Sequence, residues 1–190
     1  MKVFDTSNLK VGDVVLMGDN SIISKLITTF LSDIKNDRDI YSHVGMVVNE
    51  NELIEAISKG ISFSDIEDTI RKRKKVLIIR SNFVTSKDYA KIAECARKLL
   101  IKNIHYGWFR LGCMFVDDLL GIHYFADFLN NVKDLVCSTT VAYIYFKTKN
   151  YEFNGAKWED ADPDDIYEAF AKIHPDWHMI YCKGSITNVD

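Results

Sequence analysis

The chain has 190 residues, 47% of them hydrophobic and 27% charged, with 2 prolines and 9 glycines; this is the balance of a domain with a substantial core, and it excludes intrinsic disorder and low-complexity structure. Its 24 basic and 27 acidic residues leave a net charge of −3, so no overall positive field favours nucleic acid. The four cysteines, Cys95, Cys113, Cys137 and Cys182, form no CxxC pair, which excludes zinc-ribbon and thioredoxin patterns, and at this density a disulfide framework is not expected.

Residues 1–10 carry no apolar stretch after basic residues, so no signal peptide is expected. No apolar run approaches the roughly 18 residues of a membrane span, and no transmembrane helix is expected. A reducing cytoplasm is the default compartment. Residues 12–18 (GDVVLMG) read as a short apolar strand between glycines. Ile22, Ile23, Leu26, Ile27, Phe30, Leu31 and Ile34 recur at helical spacing on one face. Residues 42–48 (SHVGMVV) and 52–57 (ELIEAI), separated by Asn49-Glu50-Asn51, predict a hairpin with a three-residue loop.

Ser64 with Glu67 three residues later predicts a helix start closed by a capping box. The basic run Arg71-Lys72-Arg73-Lys74-Lys75 reads as a solvated turn after that helix. Residues 76–79 form a buried-type strand. Thr85 with Asp88 opens another helix, whose stripe is Ile92, Ala93, Ala96, Leu99 and Leu100. Residues 106–120 are apolar and predicted helical, stopped by Gly121, and 124–129 form a short helix or turn. Residues 136–146 (VCSTTVAYIYF) have strand-like β-branched and aromatic content, yet equally suit a buried helix beginning near Cys137; periodicity leaves both open. Asp162-Pro163-Asp164-Asp165 is a helix start, with proline at the first helical position. Residues 179–182 close the chain as a strand. No repeat and no linker interrupts the pattern, which predicts one α+β domain over 1–190.

Two positions in this pattern can carry chemistry together. His43 and Glu55 lie on the two arms of the predicted hairpin at positions of equal parity, so regular antiparallel pairing puts them on one face. They stand directly opposite in one register and diagonal in the next, and a one-residue bulge would separate them. Glu55 interrupts an apolar segment, and a carboxylate so placed needs a partner. Cys137 is either a small buried core cysteine or a nucleophile; if residues 136–146 are helical, it sits at a helix N-terminus, where unpaired N–H groups favour a thiolate. Ser42-His43 is not a serine triad, because neighbours on a strand point to opposite faces. His105 and His123 flank an apolar stretch and read as helix-end residues, His174 and His178 bracket Pro175-Asp176-Trp177 with no acidic or thiol spacing that suggests metal, and no HExxH, phosphate loop or GxSxG occurs. No metal and no cofactor is expected.

Several segments together resemble the circularly permuted NlpC-type cysteine peptidases and amidases, the YiiX-like branch of the papain-like superfamily. They are Gly12-Asp13-Val14-Val15-Leu16, the stretch from Ser21 to Ile27, Tyr41-Ser42-His43-Val44-Gly45-Met46-Val47, Leu53-Ile54-Glu55-Ala56, Val136-Cys137-Ser138 and Asp162-Pro163-Asp164-Asp165. The resemblance runs from Leu9 to about Tyr167 and rests on order and spacing more than on any one motif. It implies a central antiparallel sheet packed against helices, with the nucleophile at a helix N-terminus. It maps the nucleophile onto Cys137, the base onto His43 and the orienting residue onto Glu55, with Ser42, Tyr106 and Ser138 as expected substrate contacts. The chain departs from the pattern at Thr139, where an acid or amide is usual, and at Tyr106-Gly107, where the tyrosine lacks its acid. Residues 109–131 have no counterpart and are expected to be an insertion over the site.

The resemblance implies a thiol hydrolase cleaving an amide bond in a small peptide, such as a peptidoglycan fragment. A lipid-directed acyltransferase or thiol esterase using the same trio on an acyl lipid is the first alternative. A non-catalytic binding module of the same fold is the second, and an intact Cys/His/Glu set argues against it.

Overall fold

A computed structural model describes residues 5–18, 41–57, 59–102, 136–172 and 175–184. These form an α+β arrangement around a six-stranded sheet. In chain order the elements are β1 (Val14–Gly18), β2 (His43–Val47), β3 (Glu52–Ile57), β4 (Gly60–Asp65), α1 (Ile66–Lys72), β5 (Lys75–Ser81), α2 (Ser86–Ile101), α3 (Cys137–Lys149), α4 (Pro163–Ala171) and β6 (Trp177–Lys183). The strand order is β4-β3-β2-β1-β5-β6, and every neighbouring pair is antiparallel.

Alternation along the strands builds two cores. Val14 and Leu16 of β1, Val44 and Met46 of β2, and Ile54 and Ala56 of β3 face a larger core. There they meet Ile92, Ala96 and Leu99 of α2, Val141, Ile144 and Tyr145 of α3, and Ile166 and Ala169 of α4. Val15, Met17, Val47 and Leu53 point the other way, onto Ile66 and Ile70 of α1. A strand buried on both faces has no polar side, which is why β1 reads as an unbroken apolar run.

The helix ends follow local rules. Asp162 accepts from the Asp165 N–H at 2.7 Å while Asp165 accepts from the Asp162 N–H at 3.0 Å, and Pro163 occupies the first helical position of α4. Thr85 and Asp88 form the expected box at α2. Ser64 does not open α1. It lies in β4, and the cap is Asp65, whose side chain accepts from the Asp68 N–H at 2.7 Å. The aspartate next in line competes for the same role and wins it, leaving Ser64 for the sheet. The basic run closes α1 with Arg71 and Lys72 and turns through Arg73 into β5.

The ambiguous segment 136–146 is helix, and α3 continues to Lys149. Its strand-like composition reflects burial on nearly every side: Cys137, Ser138, Thr139, Thr140, Val141, Ala142, Ile144 and Tyr145 are all buried. An all-round buried helix has no polar face to mark its period. At its far side the Tyr145 hydroxyl donates to the Gly12 carbonyl at 2.6 Å, tying α3 to the turn before β1. The expected helices at 21–34 and 106–120, the 124–129 turn and the 109–131 insertion lie outside the described residues.

Candidate active site

The hairpin loop is as expected, and Asn49 sets it: its Oδ1 accepts from the N–H groups of Asn51 (2.9 Å) and Glu52 (2.8 Å). The strands then pair Val47 with Leu53, Met46 with Ile54 and Gly45 with Glu55. This is the diagonal one of the two registers, with Glu55 opposite Gly45 and one pair removed from His43. Gly45 makes the diagonal reach workable. A Cβ there would stand 2.7 Å from Leu53 Cδ1 and 3.1 Å from the Ile54 carbonyl oxygen, facing the Glu55 Cβ at 3.5 Å. With no side chain in that space, Glu55 extends across it. His43 Nε2 donates to Glu55 Oε2 at 2.6 Å, with the two side chains 15% and 6% exposed.

Glu55 is held at its other oxygen by the Ser64 hydroxyl, which donates to Oε1 from β4. Ser64 faces Leu53 in the ladder and is therefore also a diagonal neighbour of Glu55. Burial alone would raise the Glu55 pKa; the hydrogen bond and charge of His43, then the Ser64 hydroxyl and the Arg73 charge, hold it below the ordinary carboxylate value.

Cys137 is the first residue of α3 and is 6% exposed. Its N-cap, Val136, offers no side-chain acceptor to the first turn. The capping contacts run backwards: Thr139 Oγ1 accepts from the Val136 N–H at 2.9 Å, and the Thr140 hydroxyl donates to the Val136 carbonyl at 2.8 Å. No side chain caps the first turn of the helix, and the Ser138 N–H donates to Cys137. A second donor comes from the sheet. The β2–β3 ladder stops at Gly45–Glu55, and the Val44 N–H just beyond it also donates to the sulfur. The imidazole of His43 completes the set by a side-chain hydrogen bond to Cys137. With Nε2 committed to Glu55, Nδ1 is the ring nitrogen left for the thiol.

Electrostatics follow from that geometry. Burial works against a charge on His43, but the Cys137 thiolate, and behind it Glu55, outweigh burial and push the imidazole pKa up to about 9. Burial likewise works against a thiolate at Cys137; the His43 charge and hydrogen bond, with the Val44 and Ser138 N–H groups, bring its pKa below the ordinary thiol value. Both shifts favour a thiolate beside an imidazolium. Cys95 and Cys182 are shifted the other way, upward by burial.

Cys137, His43 and Glu55, inferred from the sequence, stand together. Ser138 is buried beside Cys137 and contributes its backbone N–H. Ser42 is buried, its N–H donating to the Met17 carbonyl in the ladder at 3.1 Å. Tyr106 and Cys113 lie outside the described residues. Sequence reading missed Ser64, which it spent on a helix cap, and Gly45. The alternation Ile61-Ser62-Phe63-Ser64 was the available signal for the first, since a period of two marks a strand. Among the described residues no group of three or more His, Cys, Asp or Glu side chains is arranged to hold a metal ion. One imidazole nitrogen of His43 is engaged by the Glu55 carboxylate, and the Cys137 sulfur also acts on the ring. Nor, among the described residues, is any helix long and apolar enough to cross a membrane.

No family profile matches the sequence, and no curated protein sequence matches it. The fold has a match among solved structures. The crystal structure of metalloprotein yiiX from Escherichia coli O157:H7 is similar with a TM-score of 0.61, over 93% of this chain and 98% of that one, at 14% sequence identity. The two proteins share a fold, and the YiiX-like architecture expected from the sequence is the architecture of the chain.

Proposed function

We propose that the protein is a thiol hydrolase that cleaves an amide bond through Cys137, His43 and Glu55. One observation carries the reading: a helix-N-terminal thiol hydrogen-bonded to an imidazole whose other nitrogen is held at 2.6 Å by a buried carboxylate. A nucleophile, a base and an orienting group in that order are what acyl transfer by a thiol requires. The yiiX-like fold and the chain order His43, Glu55, Cys137, reversed relative to papain, support the same reading.

In this mechanism the Cys137 thiolate attacks the carbonyl carbon. The first-turn N–H of Cys137, which has no partner within its own helix, faces the developing oxyanion. The His43 imidazolium gives its Nδ1 proton to the departing amine, and the C–N bond breaks to leave a thioester. His43, now neutral, takes a proton from water, which attacks the thioester. The acid departs, and the proton on His43 restores the ion pair. Glu55 keeps Nε2 protonated throughout, so that Nδ1 is always the nitrogen that exchanges the proton. The substrate in this reading is a short peptide of the cell-wall type.

The test is chemical. Brief iodoacetamide treatment near pH 6 followed by peptide mapping should label Cys137 well ahead of Cys95, Cys113 and Cys182, because only a thiolate reacts at that pH. A mixture of peptidoglycan stem peptides should then gain new amine ends with the wild type and none with Cys137→Ala. Equal labelling of the four cysteines contradicts the reading.

A further inference from the structure

Glu55 is reached from two sides. On one, His43 holds Oε2. On the other, Glu55 borders a cleft of about 440 Å³ lined by Ser64, Asp65, Asp68, Thr69, Lys72 and Arg73 on the α1 side of the sheet. A glutamate has three rotatable bonds, and on this side its carboxylate is open to the cleft and to the charge of Arg73, while Lys72 pairs with Asp68. Ser64 blocks that escape by donating to Oε1 from the neighbouring strand. Ser62, which stands directly opposite Glu55, has its hydroxyl donating to the Phe63 carbonyl at 3.3 Å instead.

We propose that Ser64 is a positioning residue, a fourth member of the chain Ser64–Glu55–His43–Cys137, whose hydroxyl holds the carboxylate on the imidazole and out of the α1-side cleft. The inference rests on the thiol-hydrolase reading and deepens it. The hydroxyl acts twice. It fixes the geometry of the carboxylate, and it favours the ionised form that the imidazolium needs as counter-ion. Without it Glu55 takes up a proton at higher pH, and the ion pair that keeps Cys137 a thiolate fails earlier on acidification.

The experiment compares Ser64→Thr with Ser64→Val. The two have the same shape and both suit a strand, and only threonine keeps the hydroxyl. The readout is the alkylation rate of Cys137 by iodoacetamide as a function of pH, with the unfolding midpoint in urea as the control for folding. Threonine should stay within about twofold of the wild type, whereas valine should slow alkylation near pH 6 by about tenfold, the order expected for one hydrogen bond to a charged group. The acidic limb of the valine profile should move to higher pH. Superimposable profiles for threonine and valine, beside a reactive wild-type Cys137, overturn the role of Ser64 and leave the hydrolase reading standing. A wild-type Cys137 no faster than Cys95 and Cys182 overturns both.

Discussion

At the scale of the residue, the site depends on each buried charge having a stated partner. A buried carboxylate in an apolar strand is costly alone. Glu55 is tolerated because His43 and Ser64 occupy its two oxygens. Glu55→Gln keeps the volume and the capacity to pair with Ser64, so the fold should survive. It removes the charge behind the imidazolium and can turn an N–H toward Nε2. Turnover, or the alkylation rate of Cys137 in its place, should fall by about 10- to 1000-fold, less than the loss in Cys137→Ala, since orientation is only part of the catalytic effect. Glu55→Gln with unchanged thiol reactivity would make Glu55 structural. The residue scale was also the most legible one. Parity along a hairpin is enough to put His43 and Glu55 on one face. Ser64 reads as a cap because a serine three residues before a glutamate fits a capping box, and that fit competes with the short Ile61-Ser62-Phe63-Ser64 alternation that marks the strand.

At the scale of the element, α3 is built to leave its N-terminus for the sulfur. Val136 at the N-cap cannot satisfy a first-turn N–H, and Thr139 and Thr140 turn back onto Val136 instead. A helix optimised for stability would carry a hydroxyl or carboxylate there. Val136→Thr supplies one at nearly constant shape. It should raise unfolding stability by about 0.5–1 kcal/mol while drawing N–H groups from the sulfur, so the thiol pKa rises and alkylation near pH 6 slows. Urea titration and the alkylation rate measure the two effects separately; faster alkylation in this variant would contradict the role assigned to the uncapped helix end. The same burial that serves the site hid the element. With eight of its thirteen residues buried, α3 shows no polar face, and its β-branched content mimics a strand. Strands β1, β2, β3 and β5, and the starts of α2 and α4, were legible because glycine bounds, loop residues and capping pairs are local. Strand β4 was not: a half-buried edge strand with two serines has too few apolar residues to announce itself.

At the scale of the whole molecule, two segments distant in sequence, a hairpin and a helix, meet at one site. The β2–β3 hairpin brings His43 and Glu55, and α3 brings Cys137 from the far side of the chain. Asp13, 1% exposed at the head of β1, takes two hydrogen bonds of 2.7 Å from Arg80 on β5 and one of 2.8 Å from the Lys10 N–H. The bidentate pair locks the central strands together. No spacing rule ties position 13 to 80, or 43 to 137. The long-range part of the site was available only through resemblance to a fold, and the structural likeness to yiiX is a likeness of fold.

The central claim is that Cys137 and His43 share their proton as thiolate and imidazolium, and the direct measurement is a titration of the His43 ring nitrogens by NMR. An isolated imidazole has an ordinary pKa of 6.5, and burial alone would lower it. A value raised to about 9 means that His43 stays charged at neutral pH and loses its proton only in alkaline solution. Replacing the thiol removes the largest of the influences that favour the charge, so in Cys137→Ala the pKa should fall back toward, or below, its ordinary value. A wild-type His43 that is charged at pH 7 and titrates near 9, with a fall in the variant, is the predicted result. A His43 already neutral at pH 7, or one whose titration is indifferent to Cys137→Ala, would contradict the ion pair and the thiol chemistry built on it.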